Sequence, residues 1–244
     1  MSRKTQRNRA NSQRAASPGG IAAQTNRFRR RGIVVGAVVA LLLAVVVGTL
    51  LYKREGTHSS QFAATAIQDA LASNHSPMLG DASAKVHVVE FLDPACETCA
   101  QFFPLVKQRL AENPGRIRLS VRHVAFHQGS DYVVRILEAS RKQDKYWQTL
   151  EALLRSQAQW APNHTVQPDL VAQAISGVGM NVEQLMADMN APEVAQRMEQ
   201  DRNDAVTLKV TATPEYFVNG RPMPSFGEQQ LRNLISEALQ SAYR

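Results

Sequence analysis

The first strong pattern along the chain is an uncharged apolar run. Ile33 to Leu51 holds 19 residues dominated by Val, Leu and Ala, interrupted only by Gly36, Gly48 and Thr49. As a helix rising about 1.5 Å per residue it would extend about 28 Å, close to the roughly 30 Å hydrocarbon core of a bilayer. The pattern predicts one transmembrane helix over residues 32–52. A cleaved signal peptide is the competing reading. Against it, the run exceeds the usual apolar stretch of about 7–15 residues, and Lys53-Arg54 stand where small residues would mark a cleavage site. Gly32, Gly36, Ala40, Ala44 and Gly48 recur at a spacing of four, giving one face of small side chains on which a homodimer could pair. Such residues are also frequent in unpaired spans.

Beyond this run, residues 53–77 read as a juxtamembrane linker, in which Phe62, Ala66, Ile67 and Leu71 are spaced for one short amphipathic helix. A folded domain is expected over 78–244. Lys85 to Leu92 is nearly continuous in apolar content, as suits a strand buried on both faces. Cys99, Phe103, Val106 and Leu110 then recur at helical spacing until Asn113-Pro114-Gly115 stops the pattern. Ile117, Leu119 and Val121 alternate with Arg118, Ser120 and Arg122, predicting a second strand and a right-handed parallel crossover. From about 129 to 205 the periodicity is helical, with apolar positions such as Ile136, Leu150, Leu153 and Leu170. Strand character is expected to resume at Leu208 to Thr211. Tyr216 to Val218 then leads into Asn219-Gly220, a strong hairpin signal. Ser225 and Glu228 have capping-box spacing ahead of a final helix with Leu231, Leu234, Ile235 and Leu239 on its buried face.

Charge divides the chain in the same place as hydropathy. Residues 1–31 carry nine Arg or Lys and no acid, and read as a disordered tail. Eleven of the 28 basic residues precede Glu55, which leaves 17 against all 21 acids, a net of −4. The overall +7 is therefore a property of the tail, and the remainder is no nucleic-acid binder on charge grounds. The basic tail should stay inside, placing residues 55–244 outside the cytoplasm. The expected location is the bacterial inner membrane, with the N-terminus cytoplasmic, the lipid bilayer contacted through 32–52 and the catalytic domain periplasmic.

The chemistry concentrates in the two cysteines of the chain, Cys96-Glu97-Thr98-Cys99, between a predicted strand and a predicted helix. A thiolate at a helix start faces free backbone N–H groups and the positive end of the helix dipole, so its pKa falls. Cys99, one turn on, can close a disulfide and release whatever is bound to Cys96. Half a zinc site has the same spacing, but no second Cys pair or Cys/His pair completes four ligands. A plain structural disulfide would close only a minimal loop, where crosslinking contributes least.

Gly80 to Val86, then Val88-Val89-Glu90-Phe91-Leu92-Asp93, then Cys96 and Cys99, resemble the start of the DsbA-like branch of the thioredoxin superfamily. Thr213-Pro214, followed by Tyr216-Phe217-Val218-Asn219-Gly220, resembles that family's cis-proline loop and hairpin. The likeness covers about residues 78–242. It implies an α/β thioredoxin-like fold with an all-helical insertion at about 129–205, here preceded by one transmembrane helix. It also implies thiol-disulfide oxidoreductase activity with no cofactor beyond the Cys96–Cys99 disulfide. Cys96 would be the nucleophile and Cys99 the resolving thiol. Thr213 and Pro214 would offer backbone groups to a bound substrate chain. Glu90 would be a buried acid relaying the proton of Cys99, the competing reading being a solvent-facing strand residue, and Pro104 would match the proline of the active-site helix. The implied partners are thiols or disulfides of exported proteins, and a membrane or periplasmic redox partner that resets the pair.

Glu97 and Thr98 stand where strongly oxidising members have proline and histidine, so both are candidate tuning residues. A carboxylate about 6 Å from the Cys96 thiolate would lower the potential by about 15–30 mV. Oxidase, isomerase and dedicated reductant are not separable on these residues. The alternative of another class is a non-catalytic Cu(I) module, in which His123 or His127 joins the two cysteines.

Overall fold

The computed structural model describes residues 36–49, 64–72 and 74–244. The basic tail and parts of the expected span and linker lie outside the described residues. Residues 36–49 are helical, and among the described residues no helix is long and apolar enough to cross a membrane. The chain divides into two units, 1–61 and 62–244. The second carries the fold.

The five strands of this unit are β1 (Met78–Gly80), β2 (Val86–Leu92), β3 (Ile117–His123), β4 (Glu215–Val218) and β5 (Arg221–Pro222). They form one sheet in the order β1-β3-β2-β4-β5. β2 and β3 run parallel, joined by helix α1 (Glu97–Glu112), while the other three neighbouring pairs are antiparallel. Between β3 and β4 lie α2 (Ser130–Ser140), α3 (Tyr146–Arg155), α4 (Gln157–Trp160), α5 (Pro168–Ile175), α6 (Val182–Asp188) and α7 (Pro192–Thr207). The closing helix is α8 (Glu228–Ala242).

Alternation along β2 decides which side chains meet the redox residues. Val86, Val88 and Leu92 belong to the main core with Cys96, Cys99, Phe103, Tyr216 and Leu231, whereas Val89 and Phe91 pack on the opposite face with Val124, Ala205, Val210 and Phe217. Period-two geometry places Glu90 on the first face, beneath α1. Each fully buried Leu, Val or Phe of this layer contributes about 1.5–3 kcal/mol.

β3 departs from the expected half-polar strand. Ser120 and Arg122 are buried along with Ile117, Leu119 and Val121, because Arg122 finds internal partners: it donates to Asp201 at 2.9 Å, to Asp204 and to the Ala70 carbonyl at 2.6 Å. The Ala70 contact ties helical residues 64–72 to the sheet, so packing begins ahead of Met78.

Two expectations from the sequence are corrected. Leu208 to Thr211 is not a strand: Leu208 caps α7, and Lys209 has φ of 59°, which turns the chain where an extended residue was expected. Ser225 does not cap the last helix, which starts at Glu228 behind Gly227 with no side-chain cap. The Asn219-Gly220 turn does form, with φ of 48° and 79°, the paired positive values that a two-residue hairpin requires.

Candidate redox site

Cys96 is the N-cap of α1, with φ −82° and ψ 118°, and its amide donates to the Asp93 carbonyl at 3.0 Å. Cys99 lies in the first turn, fully buried, and the two cysteines are free thiols. As a thiol, Cys96 donates to the Thr213 carbonyl at 3.4 Å and makes no capping bond. As a thiolate it has better partners. A hydrogen bond from the Cys99 thiol, then the Cys99 amide, the Thr213 side chain and the Thr98 amide, hold its pKa down at about 5 against the opposing effect of burial. Cys99 moves the other way: burial, its bond to Cys96 and the nearby charges of Cys96 and Glu90 push its pKa far up. The Thr213–Pro214 peptide is cis, and Pro214 is buried beside half-buried Thr213.

Glu90 is fully buried. Burial raises its pKa to about 8, a bond from the Tyr216 hydroxyl at 2.8 Å opposes the rise, and the charge of Cys96 adds to it. One strand, one helix start and one cis-proline loop thus bring together a low-pKa thiol, a high-pKa thiol and a protonatable acid.

Residues 72–237 match the thioredoxin family model.

The chain belongs to the DsbA-like thioredoxin family, a family of thiol-disulfide oxidoreductases.

A thioredoxin-like oxidoreductase from Silicibacter pomeroyi DSS-3 superposes with a TM-score of 0.62 at 30% identity, covering 70% of this chain and 97% of that one. The probable disulfide bond formation protein D of Bacillus anthracis is 26% identical over 206 residues, 80% of this chain and 89% of the relative. The Na(+)/H(+) antiporter NhaA of Herminiimonas arsenicoxydans is 25% identical over 223 residues, and there the chain spans 35% of the relative's length.

Within this DsbA-like frame the remaining candidates separate. The Glu97 side chain is exposed on the first turn of α1 and is not among the groups that set the Cys96 pKa, whereas Thr98 acts through its amide. His123 is buried against the Tyr146 hydroxyl at 2.7 Å, and the His127 ring bonds Asp93 at 2.7 Å. Among the described residues the cysteines join no group of three metal-ligating side chains. The group that does form is His75, Asp201 and Asp204, in which both carboxylates pair with the Arg122 guanidinium and the His75 ring bonds Asp201.

Several site residues escaped sequence reasoning. The buried Asp93 carboxylate accepts the amides of Ala95, Phe126 and His127 at 2.7–2.9 Å, the His127 ring and the Ser130 hydroxyl, knotting the loop before Cys96 to the loop after β3. Tyr216, Gln157 and His164 also reach the redox loop or its acid. The only local signal was an acid three residues before Cys96, which by itself also fits a turn residue.

Proposed function

We propose that this protein oxidises the thiols of exported polypeptides through a Cys96–Cys99 disulfide, anchored by residues 32–52 with its redox domain outside the cytoplasm. The observation that carries the reading is the placement of Cys96 at the N-cap of α1, facing Cys99 and the Thr213 carbonyl. A substrate thiolate attacks Cys96 Sγ of the disulfide, and the sulfur–sulfur bond breaks toward Cys99, which leaves as a thiolate and takes a proton. Glu90, with its pKa near 8, is poised to supply that proton. A second substrate thiolate then attacks its own mixed-disulfide sulfur. Cys96 departs as a thiolate, and two electrons have passed from the substrate to the pair. The low pKa of Cys96 makes it a good leaving group and stabilises the reduced form, which favours the oxidising direction. Thr213 and Pro214 would hold the substrate backbone alongside.

The test is equilibration of the 244-residue chain, in detergent, with glutathione, and oxidation of a reduced model polypeptide. The expected result is a potential above that of the glutathione couple and stoichiometric disulfide transfer. A potential well below glutathione would make the protein a reductant instead. For location, a reporter active only outside the cytoplasm, fused after Arg244, should work, and activity of a cytosol-only reporter there would remove the topology.

A further inference from the structure

The helical insertion reaches the redox centre through one carbonyl. The Ala95–Cys96 peptide plane is gripped at both ends: its N–H donates to the Asp93 carbonyl at 3.0 Å, and its oxygen accepts from Gln157 Nε2 at 2.6 Å and faces His164 Nδ1 at 3.3 Å. Both donors to that oxygen come from the insertion, 62 and 69 residues away in sequence. Gln157 is buried, and the chain around it is fixed by Trp160, whose indole donates to the Leu153 carbonyl at 2.9 Å and whose own carbonyl accepts from the Gln167 amide at 2.8 Å. A buried amide side chain aimed at a backbone carbonyl outside its own helix does nothing for that helix. Its partner is the peptide that sets where the Cys96 sulfur sits.

We infer that Gln157 is a positioning residue for the redox centre: by pinning the Ala95 carbonyl it holds the peptide before Cys96 in the orientation that presents the sulfur to the amide end of α1. The inference rests on the redox reading of Cys96 above. Its physical basis is a difference between redox states. The thiolate depends on the N-cap geometry, because its stabilising amides and the Cys99 thiol lie in the first turn of α1, whereas the disulfide is held in place by its own covalent bond. Releasing the carbonyl therefore raises the free energy of the reduced form more than that of the oxidised form. Part of the strength of that hydrogen bond then appears in the thiolate equilibrium.

The experiment titrates the Cys96 thiolate by its ultraviolet absorbance, and measures the glutathione equilibrium at pH 7, in the full chain carrying Gln157→Met or Gln157→Leu. Both replacements fill the same space with an apolar side chain and remove the donor. The expected result is a thiolate midpoint raised by about half to one pH unit and an equilibrium constant for reduction lowered about 3- to 10-fold. Thr149→Val is the control: it removes a buried hydrogen bond elsewhere in the insertion, the one to the Lys145 carbonyl at 2.7 Å, without touching α4 or Ala95, and should leave the midpoint in place. An unchanged midpoint in both Gln157 variants, an equal shift in Thr149→Val, or loss of the fold in both Gln157 variants would each overturn the inference. A wild-type chain lacking a low thiolate midpoint and unable to oxidise the model polypeptide would instead overturn the redox reading on which it rests.

Discussion

The Tyr216 hydroxyl donates to Glu90 Oε1 at 2.8 Å, while Glu90 Oε2 lies buried with no partner among the described residues. A carboxylate in that setting keeps one oxygen unsolvated, and the cheaper state carries a proton. The acid is thereby held for transfer instead of for an ion pair. The Tyr216 bond is the counterweight on the carboxyl, drawing its pKa down from a still higher value.

Replacing this acid should therefore exchange activity for stability. The folded pKa of about 8 exceeds the ordinary 4.5. Below pH 4.5 both folded and unfolded chains hold the proton and no penalty exists. As pH rises toward 8 the unfolded chain gains by ionising while the folded chain does not, and stability falls. Glu90→Gln removes that loss, so the variant should be more stable by a few kcal/mol, on the order of 2–4, at pH 8 and no more stable at pH 4. Urea unfolding at the two pH values measures the difference. Disulfide transfer in the same variant should slow by about 10- to 100-fold.

The strand, the active-site helix and the closing hairpin were legible because each is written locally: a buried apolar run, a 3.6-residue period and an Asn-Gly turn. The partners of those elements were not. Arg122 fell on the polar side of an alternating strand, and nothing nearby in sequence announces that Asp201, Asp204 and Ala70 converge on it. Leu208 and Val210 alternate as strand residues do, but the left-handed backbone at Lys209 breaks the extension. At the redox site, the cysteine pair announces itself by spacing and Pro214 by the resemblance of its loop, whereas Asp93, Gln157 and Tyr216 take their meaning from contacts made across 33 to 126 residues.

The Arg122 junction gives a second test, separate from redox chemistry. Arg122 is 1% exposed and lies over the Phe91 ring at 5.2 Å, on the sheet face opposite Cys96. Arg122→Ala strands Asp201 without its guanidinium and should cost about 3–5 kcal/mol in chemical unfolding. The Cys96 thiolate midpoint should stay within about 0.2 units of wild type, since no charge near the sulfur changes. A shifted midpoint would mean that the two faces of the sheet are coupled.

Glu97 should matter less than its place beside Cys96 suggests. The side chain is exposed, so its field at the sulfur passes largely through water, where about 0.7 kcal/mol at about 6 Å is the ceiling. Glu97→Gln should raise the potential by about 15 mV or less. A rise of 30 mV or more in a glutathione equilibrium would place the carboxylate against the thiolate, in a drier setting than its exposure implies.

The two cysteines should differ in every assay that reads a thiolate. At pH 6 Cys96 is mostly ionised and Cys99 is not, so iodoacetamide should label the reduced chain at Cys96 alone. The dependence is not one-sided, because the first cause of the low Cys96 pKa is the bond from Cys99. Cys99→Ala should therefore raise the Cys96 midpoint above 5 even though Cys96 keeps its place at the helix start. It should still attack substrate disulfides, more slowly at pH 6 than at pH 8, and with no neighbour to resolve the adduct, mixed disulfides should accumulate. In Cys96→Ala the surviving thiol is buried and held protonated, so few adducts should form. Non-reducing gels of cells expressing each variant make the comparison. Equal trapping by the two variants would mean that Cys99 can reach substrate by itself, and the assignment of Cys96 as nucleophile would fall.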